Sequence, residues 1–569
     1  MSKIISIIIS IFTKLSTWLV LAIALGIILR IINLDGREFW YDEVLSLLLS
    51  NGKKIAYIHP QNIPVILSTY NQLLQIPQES NLRDISQTII NLFRGIVGTE
   101  PHPPLFYLSH HFWLLIFGNS VAATRILSAF LSIISIGIIY YWGKILLGNR
   151  TGLLLAALLA TNPFYLFHSL NFRMYGFVVF WTILSGTAII KLIDINQQNL
   201  NHKKYSASRI LLAIILTLAM AGGLLTFYLF AYWFIVLAIL VIYLDKNRWW
   251  LYGLCFIFAG ILTLPWVIWG TRQQLRNADL HRFAEGETIS KILIFGRHLQ
   301  DVVQTLGNHL ILGDWITILP GISAVIAGGV IIGLFIFASV RLWHQGDRQI
   351  LIIAVILGIF PLILALFTDI ISGNFTLAFG WGRSMIFILP GCLFFVAVCL
   401  EKITGKWRNV MIISWLLFYL TIDIADFSIR QRSMFHTLAN SLQQYPEKTT
   451  LIVLNSKAWG HVLRLAYYIP PNLPVMLLAE ESKNLANSLE QVLNNDNLNY
   501  YLNNNNSQYS RIIWLESGYP LWSAATTEAE RNNIENLLNQ KFTLINTKHL
   551  SGTMNLDDFM VKDYIISEK

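Results

Sequence analysis

The sequence predicts a polytopic α-helical membrane protein of about eleven transmembrane helices, with a small C-terminal α/β domain on the extracytoplasmic side. Three observations predict it. Hydrophobic residues make up 55% of the 569 and charged residues only 13%, about half the charge of a typical globular chain. The apolar residues gather into runs of roughly 20, the length a helix needs to cross the hydrocarbon. After Asp426 the pattern changes to short β-rich runs separated by helical stretches. With a mean hydropathy of +0.55, a soluble enzyme, a disordered scaffold and a nucleic-acid-binding module are excluded as readings of the whole chain.

The spans are read at about 16–33, 121–143, 151–168, 176–194, 249–270, 316–341, 349–368, 383–400 and 408–424. The run from Ile210 to Leu244 has the length of two spans, with Ala221-Gly222-Gly223 near its middle as the expected hairpin. The apolar stretch Pro104–Phe117 is short and carries His110 and His111, so it is expected to be interfacial or re-entrant. The N-terminal run is too long for a signal peptide's apolar region and has no small-x-small cleavage site, so it is expected to be an uncleaved first span.

Charge sets the orientation. The net charge of 41 − 32 = +9 is placed in loops, and Lys and Arg accumulate on the cytoplasmic side. With eleven crossings, Lys3, Lys14, Lys144, Arg150, Lys203, Lys204, Arg209, Lys246, Arg248, Arg341, Arg348, Lys402, Lys406 and Arg408 all share one side. The N-terminus is then inside and the C-terminus outside. Cys255, Cys392 and Cys399 lie in apolar runs and imply no disulfide framework or thiolate metal site.

Three outer segments are expected: a first loop at 33–120, a second at 271–315, and the tail. The division is a membrane domain of residues 1–425 and an α/β domain of residues 426–569. In the tail, Thr450–Asn455, Pro474–Ala479, Arg511–Glu516 and Lys541–Thr547 read as strands, and Asn494–Asn506 as a low-complexity loop. The tail holds no catalytic motif and is expected to be structural or to dock an acceptor.

The residues suited to chemistry lie at outer span ends. Asp42 and Glu43 follow Trp40 and Tyr41 and precede the apolar Val44–Leu49. A carboxylate shielded there has a raised pKa and suits a general base; solvated surface charge is the bland alternative. His102 precedes Pro103 and Pro104, which fix an extended entry into a helix. Arg125, Arg173 and Arg383 stand on the outer side against the positive-inside bias, and Arg125, inside a span, demands a partner. Each alone could snorkel. Three arginines and a carboxylate pair at one face suggest a site that handles an anion.

This order of an acidic pair, His102-Pro103-Pro104-Leu105, an arginine entering the next span, Arg173-Met174-Tyr175 and a late outer arginine resembles glycosyltransferase family 39 of the GT-C superfamily, over about residues 10–400. That group includes the protein O-mannosyltransferase-like, aminoarabinose transferase-like and Rgt-like enzymes. The resemblance implies an integral membrane enzyme that takes a sugar from a polyprenyl-phosphate donor on the non-cytoplasmic face of a bacterial plasma membrane. It implies Asp42 as base with Glu43 its companion, and Trp40, Tyr41, His102, Pro103, Pro104 and Tyr228 as pocket-shaping residues. It implies Arg173, Tyr175, Arg383 and Arg125 on the donor phosphate and lipid. Where many relatives carry His-Tyr, this chain has Phe227-Tyr228, so a divalent cation is doubtful and no metal ligand is assigned. The acceptor implied is a protein, lipid or glycan hydroxyl, with membrane lipid the other partner and no nucleic acid. A transporter or flippase of lipid-linked sugars is the alternative class. It is disfavoured because most charges sit at span ends and no repeated halves are visible.

Overall fold

A computed structural model describes residues 15–32, 34–198, 203–277, 291–314, 319–377, 379–430, 433–494, 509–521, 523–552 and 557–567. It divides into two compact units. The first comprises residues 1–34, 96–109 and 125–427; the second comprises 35–95, 110–124 and 428–569.

The first unit is a helical body. Its helices are inverted relative to soluble ones, with apolar side chains turned outward. Leu15–Ile32 buries Leu19, Ala22, Gly26 and Arg30, a stripe of helical period, and exposes Val20, Leu21, Leu25 and Ile28. Among the described residues, nine helical stretches are long and apolar enough to cross a membrane, and Asn149–Thr161 with Pro163–Ser169, bent by 60°, forms a tenth. One of the nine, Tyr228–Asn277, is 50 residues long and folds back at the basic turn Lys246–Arg248. The Trp266 indole donates to the Tyr228 hydroxyl at 2.9 Å, and the Phe234 and Phe256 rings lie 5.6 Å apart. Those pairings make its halves antiparallel. Counted as two, it brings the stretches able to cross, among the described residues, to 9 + 1 + 1 = 11, the number expected.

The expected hairpin at Ala221-Gly222-Gly223 is not one. Lys203–Thr226 runs through it as an unbroken helix, and the chain turns at Phe227 instead. A Cβ on Gly222 would lie 2.8 Å from the Trp181 ring, and one on Gly223 2.2 Å from the Phe230 ring. These glycines admit neighbouring rings rather than make a turn, which is the commoner use of small residues between membrane helices. Gly391 instead admits a neighbouring backbone to Leu389–Lys402, which is buried along nearly its whole length: a Cβ there would meet the Leu357 carbonyl oxygen at 2.0 Å.

The two ends of the body differ chemically. At one end the basic loops are tied together: Arg150 lies 3.0 Å and Arg408 3.9 Å from Glu401, and Lys402 lies 3.3 Å from Asp347. Such pairs, partly exposed, contribute little each, but they show that these loops share an end, as the charge bias requires. The opposite end gathers buried polar side chains.

The second unit is built on a six-stranded mixed sheet in the order β1-β3-β2-β4-β6-β5, with β1 Val65–Ile66, β2 Thr450–Leu454, β3 Val475–Ala479, β4 Arg511–Ser517, β5 Phe542–Ser551 and β6 Asp558–Ile566. The central β3, β2 and β4 are parallel and wholly buried, as a sheet covered on both faces must be. Leu451, Val453, Met476, Leu478, Ile512 and Trp514 pack on Leu485, Leu489, Ile534 and Leu538 from helices Ser482–Asn494 and Glu528–Asn539. All four expected strands are present. β6 was not expected, nor was β1, which the first loop lends to the sheet. The stretch Asn494–Asn506 falls, after Asn494, outside the described residues.

The first loop does not group as a whole with the membrane helices: residues 35–95 and 110–124 pack with the tail. The reason is aromatic and ionic. Phe39, fully buried, lies against Tyr467 at 4.7 Å, and its amide donates to the Tyr468 hydroxyl at 2.6 Å. Tyr41 lies 4.4 Å from Trp459.

Eleven crossings with the basic loops inside can be checked by cysteine labelling, since the three native cysteines are all buried. Asn247, in the Lys246–Arg248 turn, and Gln443, at the end of Met434–Gln443, are both exposed. An impermeant maleimide added to intact cells is expected to label Gln443→Cys and spare Asn247→Cys. Equal labelling of both from outside would contradict the topology.

Candidate active site

The motif residues fall into two sets, one in each unit. In the second unit, Trp40 precedes the helix Tyr41–Ser50. Glu43, fully buried, accepts the Trp40 amide at 2.8 Å, which caps the helix start from its third position. Asp42 sits beside it in the first turn and is only partly covered. Burial thus falls on Glu43, and the more accessible carboxylate is Asp42, held where the helix N-terminus favours negative charge.

The turn before this helix is anchored on the tail. Glu38 accepts the His436 backbone amide and ring Nδ1, both at 2.8 Å. Burial raises its pKa in spite of those bonds. Arg464, fully buried, is 2.7 Å from Asp557, donates to the Gly460 carbonyl at 3.0 Å, and lies over the Tyr41 ring at 5.7 Å. A buried pair of this kind is costly to break, on the order of 3–5 kcal/mol.

In the first unit the centre is Glu100, at the C-terminal end of helix Leu82–Thr99 and 4% exposed. Its carboxylate hydrogen-bonds His102 Nδ1 and lies 3.8 Å from Arg173 Nη2. Arg173 also donates to the Tyr107 hydroxyl at 3.4 Å. Burial pushes the Glu100 carboxyl up, but the His102 and Arg173 charges and bonds from His102 and Tyr107 outweigh it, holding it at about 2. Pro103 and Pro104 are buried, and the Pro104 carbonyl opens the next helix by accepting the Leu108 amide at 2.9 Å.

One side chain fixes this turn. Gln274 donates to the Glu100 carbonyl at 2.6 Å and the His102 carbonyl at 2.9 Å, and its own carbonyl accepts the Tyr228 hydroxyl. Tyr228 also pairs with Thr271 at 2.9 Å. Phe227 stacks on His102 with centroids 5.4 Å apart and 19° between planes. The Phe227-Tyr228 pair therefore holds the His102 turn, one residue by its face and the other through Gln274. Among the described residues no group of three or more His, Cys, Asp and Glu has the arrangement to hold a metal ion.

Tyr175 and Arg383 meet beside this cluster. Arg383 lies 5.9 Å above the Tyr175 ring and the same distance from Phe379, and the Tyr175 ring is 4.9 Å from that of His168. The segment carrying Arg383 is unusual. Trp381 has φ +63°, between Gly380 and Gly382 at +59° and +86°, a conformation costing a non-glycine residue roughly 1–2 kcal/mol. Asn308 holds its carbonyl at 3.0 Å, and His309 Nε2 donates to the Gly382 carbonyl at 2.9 Å. Burial lowers the His309 pKa to about 4, so its ring is neutral. Arg125, 1% exposed, donates to the Leu34 carbonyl at 2.9 Å, where the first span ends. That contact pins the exit of the chain from the first helix.

Residues 101–198 match the protein family described as dolichyl-phosphate-mannose-protein mannosyltransferase. The resemblance to family 39 glycosyltransferases holds over this stretch. It contains His102, Pro103, Pro104, Arg125, Arg173 and Tyr175. No curated protein sequence matches the chain. Among solved structures, the chain is similar to ArnT from Cupriavidus metallidurans in the apo state, at 14% identity over 96% of this chain and 97% of that one, with a TM-score of 0.40. The same enzyme bound to undecaprenyl phosphate matches at 13% identity over 96% and 98%, with a TM-score of 0.41. The oligosaccharyltransferase of Archaeoglobus fulgidus in the apo form matches at 12% identity over 97% and 74%, with a TM-score of 0.47.

The sequence alone assigns no role to Glu100, Gln274, Tyr107, His309 or Trp381. Only Glu100 carried a signal, as a lone acid beside His102. Because the Glu100 pKa is depressed below the ordinary 4.5, its contribution to stability is present above the unfolded value and lost as pH falls toward about 2. In a pH series of thermal unfolding in detergent, the wild-type chain should lose stability between about pH 4.5 and 2. Glu100→Gln should start lower at neutral pH and decline less across that window. Parallel curves for the two proteins would contradict the assignment.

Proposed function

We propose that the chain is an integral membrane glycosyltransferase that moves a sugar from a polyprenyl-phosphate donor to an acceptor hydroxyl on the extracytoplasmic face, with inversion. One coincidence carries the reading. The segment matching a dolichyl-phosphate-dependent family supplies His102, Arg173 and Tyr175, and these are among the polar residues gathered at the end of the body opposite the basic loops.

The chemistry suits the residue types. In a single displacement the acceptor oxygen attacks the anomeric carbon, and the bond from that carbon to the phosphate oxygen breaks. Its electron pair leaves with the polyprenyl phosphate, and the hydroxyl proton passes to the Asp42 carboxylate. A phosphate is already a good leaving group, so what helps is fixed positive charge as its negative charge develops. Arg383 is assigned that role, through forked hydrogen bonds. Arg173, tied to Glu100, holds the His102 turn and contributes charge from behind. Glu43 is a positioning residue that caps the turn presenting Asp42, and Arg125 positions the end of the first span. The apolar spans hold the prenyl chain, Tyr228 supports the His102 turn through Gln274, and Trp40 and Tyr41 shape the turn that presents Asp42. The localisation that follows is a bacterial plasma membrane, with the site facing outward.

The test is transfer from a polyprenyl-phosphate sugar in reconstituted membranes. Asp42→Asn should lose about 10²–10⁴-fold in rate, and Arg383→Ala about 10²–10³-fold, each with normal insertion. Full transfer by Asp42→Asn would remove it as the base, and full transfer by Arg383→Ala would remove the phosphate contact.

A further inference from the structure

The second unit contains a groove that the proposed reaction does not use, with a volume of about 650 Å³, in the range of small-ligand sites. It lies beside the C-terminal ends of β2 and β3, where Lys457 and Glu480 follow the strands. Open α/β sheets bind ligands beyond the carboxyl ends of their strands, most often where the strand order reverses. Here that reversal, between β2 and β4, is closed. The Asn455 side chain accepts the Ser517 amide at 2.7 Å, donates to its carbonyl at 3.1 Å, and reaches Thr526 at 2.9 Å. The open space is displaced to the β3 side.

What lines the groove is distinctive. Helix Ser482–Asn494 turns Asn484, Asn487, Ser488 and Gln491 toward it, spaced i, i+3, i+4 and i+7 on one face, while Leu485, Leu489 and Val492 enter the core. The helix has two charged residues, Lys483 and Glu490, and neither lines the groove. The facing wall is the first-loop segment that supplies Gln61 and Asn62. Lys457 is 2.7 Å from Glu480, so the two charges present cancel. Burial, with the Lys54 and Lys457 charges, lowers the His59 pKa and favours a neutral ring at this edge.

Each amide offers donors and acceptors side by side, the pattern of vicinal hydroxyls, each of which gives and takes a hydrogen bond. A lining with no uncompensated charge favours neither phosphate nor a sulfated polymer. An extended peptide would add to an exposed sheet edge, but the β3 edge on this side is covered by β1, paired through Val65 with Leu477 and Ile66 with Met476. We infer that this amide-lined groove of the second unit binds a neutral, hydroxyl-rich oligosaccharide. If the proposed transfer is correct, the groove holds the growing or modified glycan; saccharide binding itself does not require that reading.

The experiment uses the full chain in lipid nanodiscs, which carry no sugar-headed detergent, without donor. Calorimetry with maltohexaose, mannohexaose and chitohexaose should give saturable binding to at least one. Asn487→Ala combined with Gln491→Ala should weaken that binding at least tenfold, and Lys483→Ala, on the same helix outside the groove, should leave it unchanged. Binding of none of the three, loss of binding equally in Lys483→Ala, or binding only of a Ser/Thr-rich peptide or a sulfated hexasaccharide would overturn the inference. Because Asp42→Asn should bind as the wild type does, failure here and failure of the transfer reading are distinguishable.

Discussion

The helical body depends on how one buried carboxylate is compensated. Glu100 is nearly inaccessible, and an isolated ion there would cost several kcal/mol in desolvation. His102 and Arg173 neutralise it, Tyr107 links to Arg173, and Gln274 holds the carbonyls on either side of the bend. These partners come from three distant stretches of chain. Without the carboxylate, Arg173 would be left as a buried cation beside a half-buried His102. The geometry of the neighbouring Tyr175 follows, because it begins the helix directly after the Arg173 turn.

The second unit solves a different problem. A short acidic motif after a membrane helix has no structure of its own, since its helix is only ten residues long, well below what is stable alone in water. The tail supplies the missing surface. His436, Tyr468, Trp459 and Arg464 together fix the segment from Glu38 to Tyr41, so Asp42 is presented by a rigid support. That gives the long tail a structural purpose within its own unit.

Much of this was legible in the sequence because membrane helices announce themselves by length and apolarity, and basic loops by charge. The eleven crossings and the α/β tail follow from those signals alone. What failed did so for physical reasons. Gly222 and Gly223 read as a turn, but glycine in a membrane helix equally serves close ring packing, which needs the identity of Trp181 and Phe230 as neighbours. Asp42 and Glu43 were a single pair on paper; only the fold distinguishes the capping Glu43 from the more accessible Asp42. Arg125 read from the sequence as an anion ligand, and its bond to the Leu34 carbonyl at the exit of the first helix shows only in three dimensions. Gln274, with no motif around it, could not have been found without three-dimensional contacts.

The central claim is that this membrane protein breaks a sugar–phosphate bond rather than carrying the intact lipid across. Purified wild-type chain in proteoliposomes, given a cell-envelope extract as the source of hydroxyl acceptor and a polyprenyl-phosphate sugar labelled with ¹³C in the sugar and deuterium in the prenyl chain, separates the two by mass spectrometry. Sugar transfer yields deuterated polyprenyl phosphate without sugar, and ¹³C-labelled sugar attached to a hydroxyl acceptor in equal amount. Doubly labelled donor appearing intact in the opposite leaflet, with no free polyprenyl phosphate formed, would contradict it.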